Sequence, residues 1–186
     1  MSQVIEEEVG GASPVAVLSG PSFAAEVARE LPTAVLVASS EPALLKLVQE
    51  EFRSKCFRLY ASNDVIGVEL GGALKNVIAI AAGVVESLGL GNNALAGLIT
   101  RGLAEMTRVA CAVGGRRETL AGLSGLGDLV LTCTGGLSRN RKVGLELGTG
   151  RSLDAILSEM KMVAEGVRTT GAALALGAEY GIELPI

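Results

Sequence analysis

The chain contains no histidine, and this removes every mechanism that needs an imidazole base, the Ser-His-Asp arrangement included. Proton transfer is left to lysine and carboxylates. Tryptophan is also absent and aromatics make up only 3% of residues, so there are no stacking platforms for single-stranded nucleic acid. A net charge of -4 and a pI near 5.0 add no general attraction to a polyanion. The three cysteines, Cys56, Cys111 and Cys133, are odd in number and widely spaced, with no CxxC pair. Without histidine they complete no zinc set, so no metal site is expected and they read as reduced thiols of a cytoplasmic protein. The start, MSQVIEEEVGG, is acidic and has neither the basic region nor the apolar core of a signal peptide. No stretch reaches the ~20 uncharged apolar residues of a membrane span, because Lys75 interrupts the best one.

What is present is small and aliphatic. Hydrophobic residues are 49% of 186, enough for one good core or two small domains built from Ala, Val, Ile and Leu. The first third alternates short apolar runs with helical ones: residues 14–21, 32–40 and 57–62 read as strands. Between the last two, Glu41–Lys55 has helical spacing, with Ser40 as N-cap and Pro42 in the first turn. Strand, helix, strand is an α/β signature. From Asp64 onward the spacing predicts helices over 64–88, 93–113, 128–132, 141–147, 152–160 and 165–180, joined by Gly-rich turns. A domain boundary therefore falls near Asn63, dividing the chain into residues 1–63 and 64–186.

Lys75 lies in the long apolar helix, with Gly71, Gly72, Ala79 and Ala82 on its face. Such a stripe of small residues leaves room for a ligand beside the amine. Withdrawal from water disfavours the charged form of a lysine, which suits a group that must take and return a proton. The alternatives are a snorkelling lysine or an ion pair with Glu69 or Glu86, neither of which is three or four residues away. Gly89-Leu-Gly-Asn-Asn-Ala94 has the spacing of a dinucleotide fingerprint, but it joins helix to helix and reads as a turn. Gly125-Leu-Gly127-Asp128 reads as a similar turn, with Asp128 as a helix N-cap. The stronger anion signal is Thr134–Lys142, TGGLSRNRK, where three cations open a helix whose dipole prefers negative charge there. A phosphate would reverse that penalty, with the Ser138 hydroxyl, the Asn140 amide and the Arg139 guanidinium converging on it.

Taken together these segments resemble the NAD(P)-dependent glycerol-3-phosphate dehydrogenases of bacterial type. LSGPSFA (18–24), GVELGGALKNV (67–77), TRGLAEM (100–106), GLGDLVLTCT (125–134), SRNR (138–141) and VAEG (163–166) match that family's signatures in family order. The resemblance implies that residues 1–63 are the α/β remnant of a dinucleotide-binding domain and 64–186 an all-α helical substrate and dimerisation domain. It implies that Lys75 accepts the C2 hydroxyl proton of sn-glycerol 3-phosphate as hydride leaves for NAD or NADP, a reaction that supplies glycerol 3-phosphate for phospholipid synthesis. Gly20, Ser22, Lys75, Asn76, Asp128, Thr132, Ser138, Arg139 and Asn140 fall on substrate positions. Ala24, Arg139, Val163 and Glu165 fall on cofactor positions. The implied partners are a small phosphorylated substrate and a second copy in a homodimer, with no nucleic acid and no membrane span.

The resemblance has one gap: the family's N-terminal strand-turn-helix with GxGxxG is not in this sequence, and family members continue past Glu183-Leu-Pro-Ile186. The expectation is a fragment that holds the substrate side, binds dinucleotide weakly and is inactive alone. Two other readings compete. A β-hydroxyacid or 6-phosphogluconate dehydrogenase relative also carries lysine and asparagine on a helix, but a turn apart, whereas Lys75 and Asn76 are adjacent. The other is a non-catalytic phosphate-binding or dimerisation module.

Overall fold

The computed structural model describes residues 1–11, 13–160 and 163–186. In chain order its elements are α1 (Ser2–Glu8), β1 (Val17–Ser19), α2 (Ala24–Val27), β2 (Thr33–Ala38), α3 (Pro42–Phe52), β3 (Phe57–Ser62), α4 (Val65–Ser87) and α5 (Gly91–Ala112). There follow α6 (Arg117–Leu120), a π-helical turn (Leu123–Gly127), α7 (Asp128–Thr134), α8 (Arg139–Gly148), α9 (Leu153–Glu159) and α10 (Glu165–Glu179). The α/β-then-helical order is the one the sequence predicts, and no strand follows Ser62 among the described residues.

The sheet has the order β1-β2-β3. β1 runs antiparallel to β2, pairing Val17 with Ala38 and Ser19 with Leu36. β2 runs parallel to β3, pairing Thr33 with Phe57 and Ala38 with Ser62, and α3 makes the crossover. Alternation along β2 buries Val35 and Val37, which meet Leu59, Leu45 and Val48 in a small apolar cluster. The cap of α3 differs from expectation: Ser40 is exposed, the N-cap is Glu41 without a side-chain bond, and the Ser39 hydroxyl accepts the Glu41 N–H at 3.2 Å. Pro42 already sets the first-turn φ and has no N–H to satisfy.

α4 is the axis of the helical part, packed by α5, α7, α8 and α10. By length and composition it could cross a membrane, which the uncharged-run criterion does not anticipate. Its Leu74, Ile78, Ala79 and Ala82 instead form one core with Met106, Val109, Leu120, Leu129 and Cys133. Burial pushes the Cys133 thiol up to about 12, so it stays protonated and unreactive at neutral pH. The small-residue stripe serves packing more than ligand space. A Cβ on Gly71 would stand 2.6 Å from the Ser124 carbonyl oxygen, and one on Gly102 2.7 Å from Ile78. At the α4–α8 crossing, Gly144 lies directly against the Ile80 carbonyl and Gly83. Of the stripe, only Gly72 lines open space.

The two ends of α4 are tied differently. At its start Asp64 is the N-cap, its Oδ1 accepting the Gly67 N–H at 2.9 Å and its Oδ2 accepting the Arg116 N–H at 2.9 Å. At its end the chain turns through Gly89 and Gly91, both at positive φ, and enters α5. The GLGNNA segment is thus the interhelical turn that its context indicates.

The glycine contacts separate two substitutions. Gly144→Ala is expected to cost about 1–3 kcal/mol by overpacking the α4–α8 crossing. Gly97→Ala, on an exposed face of α5 with nothing within 4 Å of its Cβ, should stabilise by about 0.5–1 kcal/mol through helix propensity. Urea denaturation of both variants checks the pair, and equal effects would show that α4 and α8 are not in backbone contact.

Candidate functional site

A cleft of about 630 Å³ opens between the end of β1, the middle of α4 and the starts of α7, α8 and α10. The size is that of a small-molecule site. Gly20, Ser22, Lys75, Asn76, Asp128, Thr132, Ser138, Arg139 and Asn140 all line it, as do Ala24 and Glu165. Val163 does not line it and is 61% exposed. Phe23, Ala25, Leu131 and Leu137 supply apolar wall that residue-type reasoning does not pick out. Gly135 makes room for one of them, since a Cβ there would lie 2.5 Å from the Phe23 ring.

Lys75 does not snorkel, and it does not pair with Glu69 or Glu86. Its side chain is 19% exposed and its Nζ donates to Asp128 Oδ2. Glu69 instead accepts the Ser2 N–H at 2.7 Å, while Glu86 pairs with Arg141. Asp128 is the first residue of α7, but it is not its cap: the N-cap is Gly127, with no side-chain bond. The π-helical turn Leu123–Gly127, which the sequence predicts as an ordinary turn, runs straight into α7. The helix is thereby continuous through Gly127, and the Asp128 carboxylate is free to face α4. Gly20 lies beside it in the cleft, and the Thr132 hydroxyl is 3.4 Å from its Oδ1, donating chiefly to the Asp128 carbonyl at 2.6 Å. Burial pushes the Asp128 carboxyl above its ordinary value, and the Lys75 ammonium and the hydrogen bonds offset this only in part.

Gly20 reaches the cleft because of its backbone. Its φ is 144°, and a Cβ would stand 3.1 Å from the Val35 Cα, a conformation and spacing that suit only glycine. The Ser22 hydroxyl donates to the Gly20 carbonyl at 3.0 Å, closing the turn.

The second half of the cleft is built on the SRNR segment. Ser138 caps α8 by accepting the Arg141 N–H at 3.2 Å, which leaves its hydroxyl proton available to donate. Two of the three cations are paired with carboxylates, which the helix-dipole argument does not anticipate. Arg139 donates to Glu165 Oε1 at 2.6 Å and Arg141 donates to Glu86. These carboxylates come from the first turn of α10 and the last turn of α4, partners that spacing along α8 cannot show. Asn140, 4% exposed, donates to Asn76 Oδ1 at 3.0 Å and accepts the Gly166 N–H at 2.9 Å. It links the start of α10 to the helix that carries Lys75. Among the described residues no group of three or more His, Cys, Asp or Glu could hold a metal ion.

Two buried aspartates, Asp64 at the start of α4 and Asp128 in the cleft, have opposite pH signatures. Burial raises the Asp64 carboxyl, but the Thr119 hydroxyl, the Gly67 and Arg116 N–H groups and the Arg116 guanidinium together bring it below its ordinary 3.8. Its contribution to stability is therefore present above 3.8 and is lost as pH falls through the lower folded value. Asp128, raised by burial, contributes most below 3.8 and loses that contribution as pH rises through its folded value. Asp64→Ala is expected to cost about 0.5–2 kcal/mol at neutral pH, the scale of a lost N-cap. The loss should shrink below pH 3.8, and urea titrations across that range would reject the assignment if it stayed constant.

Comparison with known proteins identifies the family and the fold. The family model described as the NAD-dependent glycerol-3-phosphate dehydrogenase C-terminus matches residues 64–186, and the corresponding N-terminus model matches residues 1–45. A glycerol-3-phosphate dehydrogenase [NAD(P)+] of Acidobacterium capsulatum is 63% identical over 190 residues, covering 100% of this chain and 56% of the relative. The crystal structure of a glycerol-3-phosphate dehydrogenase from Coxiella burnetii superposes with a TM-score of 0.93 at 48% identity, over 98% of this chain and 56% of that one. A glycerol-3-phosphate dehydrogenase structure from Saccharomyces cerevisiae gives 0.84 at 32% identity, over 97% and 54%. The chain spans about half the length of the curated relatives it matches. It belongs to the NAD-dependent glycerol-3-phosphate dehydrogenase family, a remnant of the dinucleotide-binding domain followed by the helical domain.

Proposed function

We propose that this chain carries the substrate side of an oxidoreductase that interconverts sn-glycerol 3-phosphate and dihydroxyacetone phosphate, with Lys75 as the proton-transfer residue. The observation that carries this is one cleft holding both an amine with a carboxylate partner and a guanidinium on a helix start. A three-carbon phosphate ester needs both, the first at the carbon that changes oxidation state and the second at the phosphate. Membership of the family weighs against the hydroxyacid alternative, and the paired Lys75 and Asp128 weigh against a non-catalytic module.

In this reading Arg139, the Ser138 hydroxyl and the free N–H groups at the start of α8 hold the phosphate. Asn140 and Asn76 keep α8, α10 and α4 in register, and Gly20 and Ser22 close the cleft from the sheet side. A nicotinamide dinucleotide, NAD or NADP, supplies the hydride acceptor when bound. The fit on this chain is an open rim at Ala24, Arg139 and Glu165, with exposed Val163 beyond it. Neutral Lys75 takes the C2 hydroxyl proton in oxidation, and its ammonium returns it to the carbonyl oxygen in reduction. Asp128 orients the amine and balances its charge, and Thr132 braces Asp128. The same reading has the protein working in the cytoplasm as a homodimer, supported by its free thiols and its Gly- and Ala-rich helices, and supplying phospholipid synthesis.

Turnover is tested in a chimaera in which this chain replaces the matching half of a full-length relative. Lys75→Met should lower turnover by about 10²–10⁴, the contribution of a positioned general base, and Lys75→Arg should fail too, since guanidinium does not deprotonate usefully. Asp128→Asn should lower turnover comparably without lowering the melting temperature, because folding already disfavours the ionised carboxyl. Lys75→Met activity within tenfold of the parent would reject Lys75 as the base. For Arg139→Ala, binding of sn-glycerol 3-phosphate should weaken by about 1.5–3 kcal/mol, the scale of a charge-assisted hydrogen bond, and binding of glycerol much less. Equal losses measured by calorimetry would show that Arg139 does not hold the phosphate.

A further inference from the structure

The cleft holds two cations, Lys75 and Arg139, and two carboxylates, Asp128 and Glu165, each cation paired to one carboxylate. Its formal charge is therefore zero before any ligand arrives. A phosphate dianion does not meet a bare positive site; it must compete with a carboxylate already in place.

The two pairs are unequal in this respect. The Lys75–Asp128 pair is only 19% and 5% exposed. The Arg139–Glu165 pair is 40% and 48% exposed, and exposed pairs are worth little because water screens them. Glu165 is also favoured where it is without Arg139, since it sits in the first turn of α10, where the helix dipole stabilises an anion. It can thus let go of the guanidinium at small cost.

Resting on the reading of Arg139 as the phosphate ligand, we propose that Glu165 is a positioning residue that stands in for the ligand's anionic group, holding Arg139 across the cleft until a phosphate displaces it. The carboxylate keeps the guanidinium ordered and pointed at the cleft, and it lowers apparent affinity by the factor that any internal competitor imposes. For an exposed pair that factor is about two- to sixfold. Weak or singly charged anions then have to overcome the same competitor with less binding energy. The Asn140 amide, 3.5 Å from Glu165 Oε2, is a second donor for the displaced carboxylate.

The test uses the chain itself, with inorganic phosphate and sn-glycerol 3-phosphate as probes in titration calorimetry. Glu165→Gln is expected to tighten both ligands by about two- to sixfold, with no effect of the same substitution in an Arg139→Ala background. Glu165→Asp keeps the charge but falls short of the 2.6 Å contact, and it should tighten binding as well. An unchanged affinity for Glu165→Asp, or tightening by Glu165→Gln that persists without Arg139, would mean a long-range charge effect and overturn the proposal. Unchanged or weaker binding for Glu165→Gln would overturn it too. If Arg139→Ala alone leaves phosphate affinity unchanged, the phosphate reading of Arg139 fails first and this inference with it, an outcome separable from the others.

Discussion

The Asp128 carboxylate is the constraint on which the rest of the site depends. It is 3% exposed, and a buried carboxylate is tolerable only with donors around it. Lys75 in α4 donates to it, Thr132 lies one turn along α7, and Gly20, just past β1, borders the same cleft. The sheet, the long helix and α7 therefore meet around one buried carboxyl. The cleft is the space left beside that point, so its geometry is a by-product of a polar requirement in the core.

Several local devices exist to make that convergence possible. The π-helical turn carries the chain into α7 without a cap, so that Asp128 faces α4 and not its own helix N-terminus. Gly71 lets the Ser124 carbonyl approach α4 closely, at the π-helical turn that precedes Asp128. Gly20 takes a φ that a side chain would resist and so lines the cleft beside the carboxylate. Gly83 and Gly144 let α8 cross α4 at backbone distance, and this crossing sets where Ser138, Arg139 and Asn140 stand relative to Lys75. Packing glycines and site residues are thus one system: each close approach in the core determines the place of a polar group in the cleft.

What the sequence shows of this follows a physical line. Periodicity and turn chemistry are local, and they show the three strands, the crossover helix, the order of the long helices and the Gly89–Gly91 turn. Lys75 stands out because an amine in an apolar helix is costly, and SRNR because its charges oppose a helix dipole. Partners do not stand out. Asp128 is 53 residues from Lys75 and Glu165 is 26 from Arg139, and only the fold brings them together. Hence Asp128 reads as a cap and Arg139 as unpaired, although each has a carboxylate–cation bond across the cleft. The four-residue elements α2 and α6 escape for a related reason, since one turn carries no periodicity to register, and α1 escapes with them.

The unequal burial of the two ion pairs has a chemical logic. In the proposed reading the Lys75–Asp128 pair stays intact through proton transfer and keeps the amine in one place. Deep burial, at 19% and 5% exposure, gives it that persistence. In the same reading the Arg139–Glu165 pair opens, because a guanidinium locked to a carboxylate cannot bind a phosphate. Solvent exposure at 40% and 48% keeps its strength low enough to exchange. One cleft thus combines a fixed pair where the reacting atoms would sit with an exchangeable pair where the ligand would anchor. Asn140 joins the two by its bond to Asn76, next in sequence to Lys75, and by its reach to Glu165.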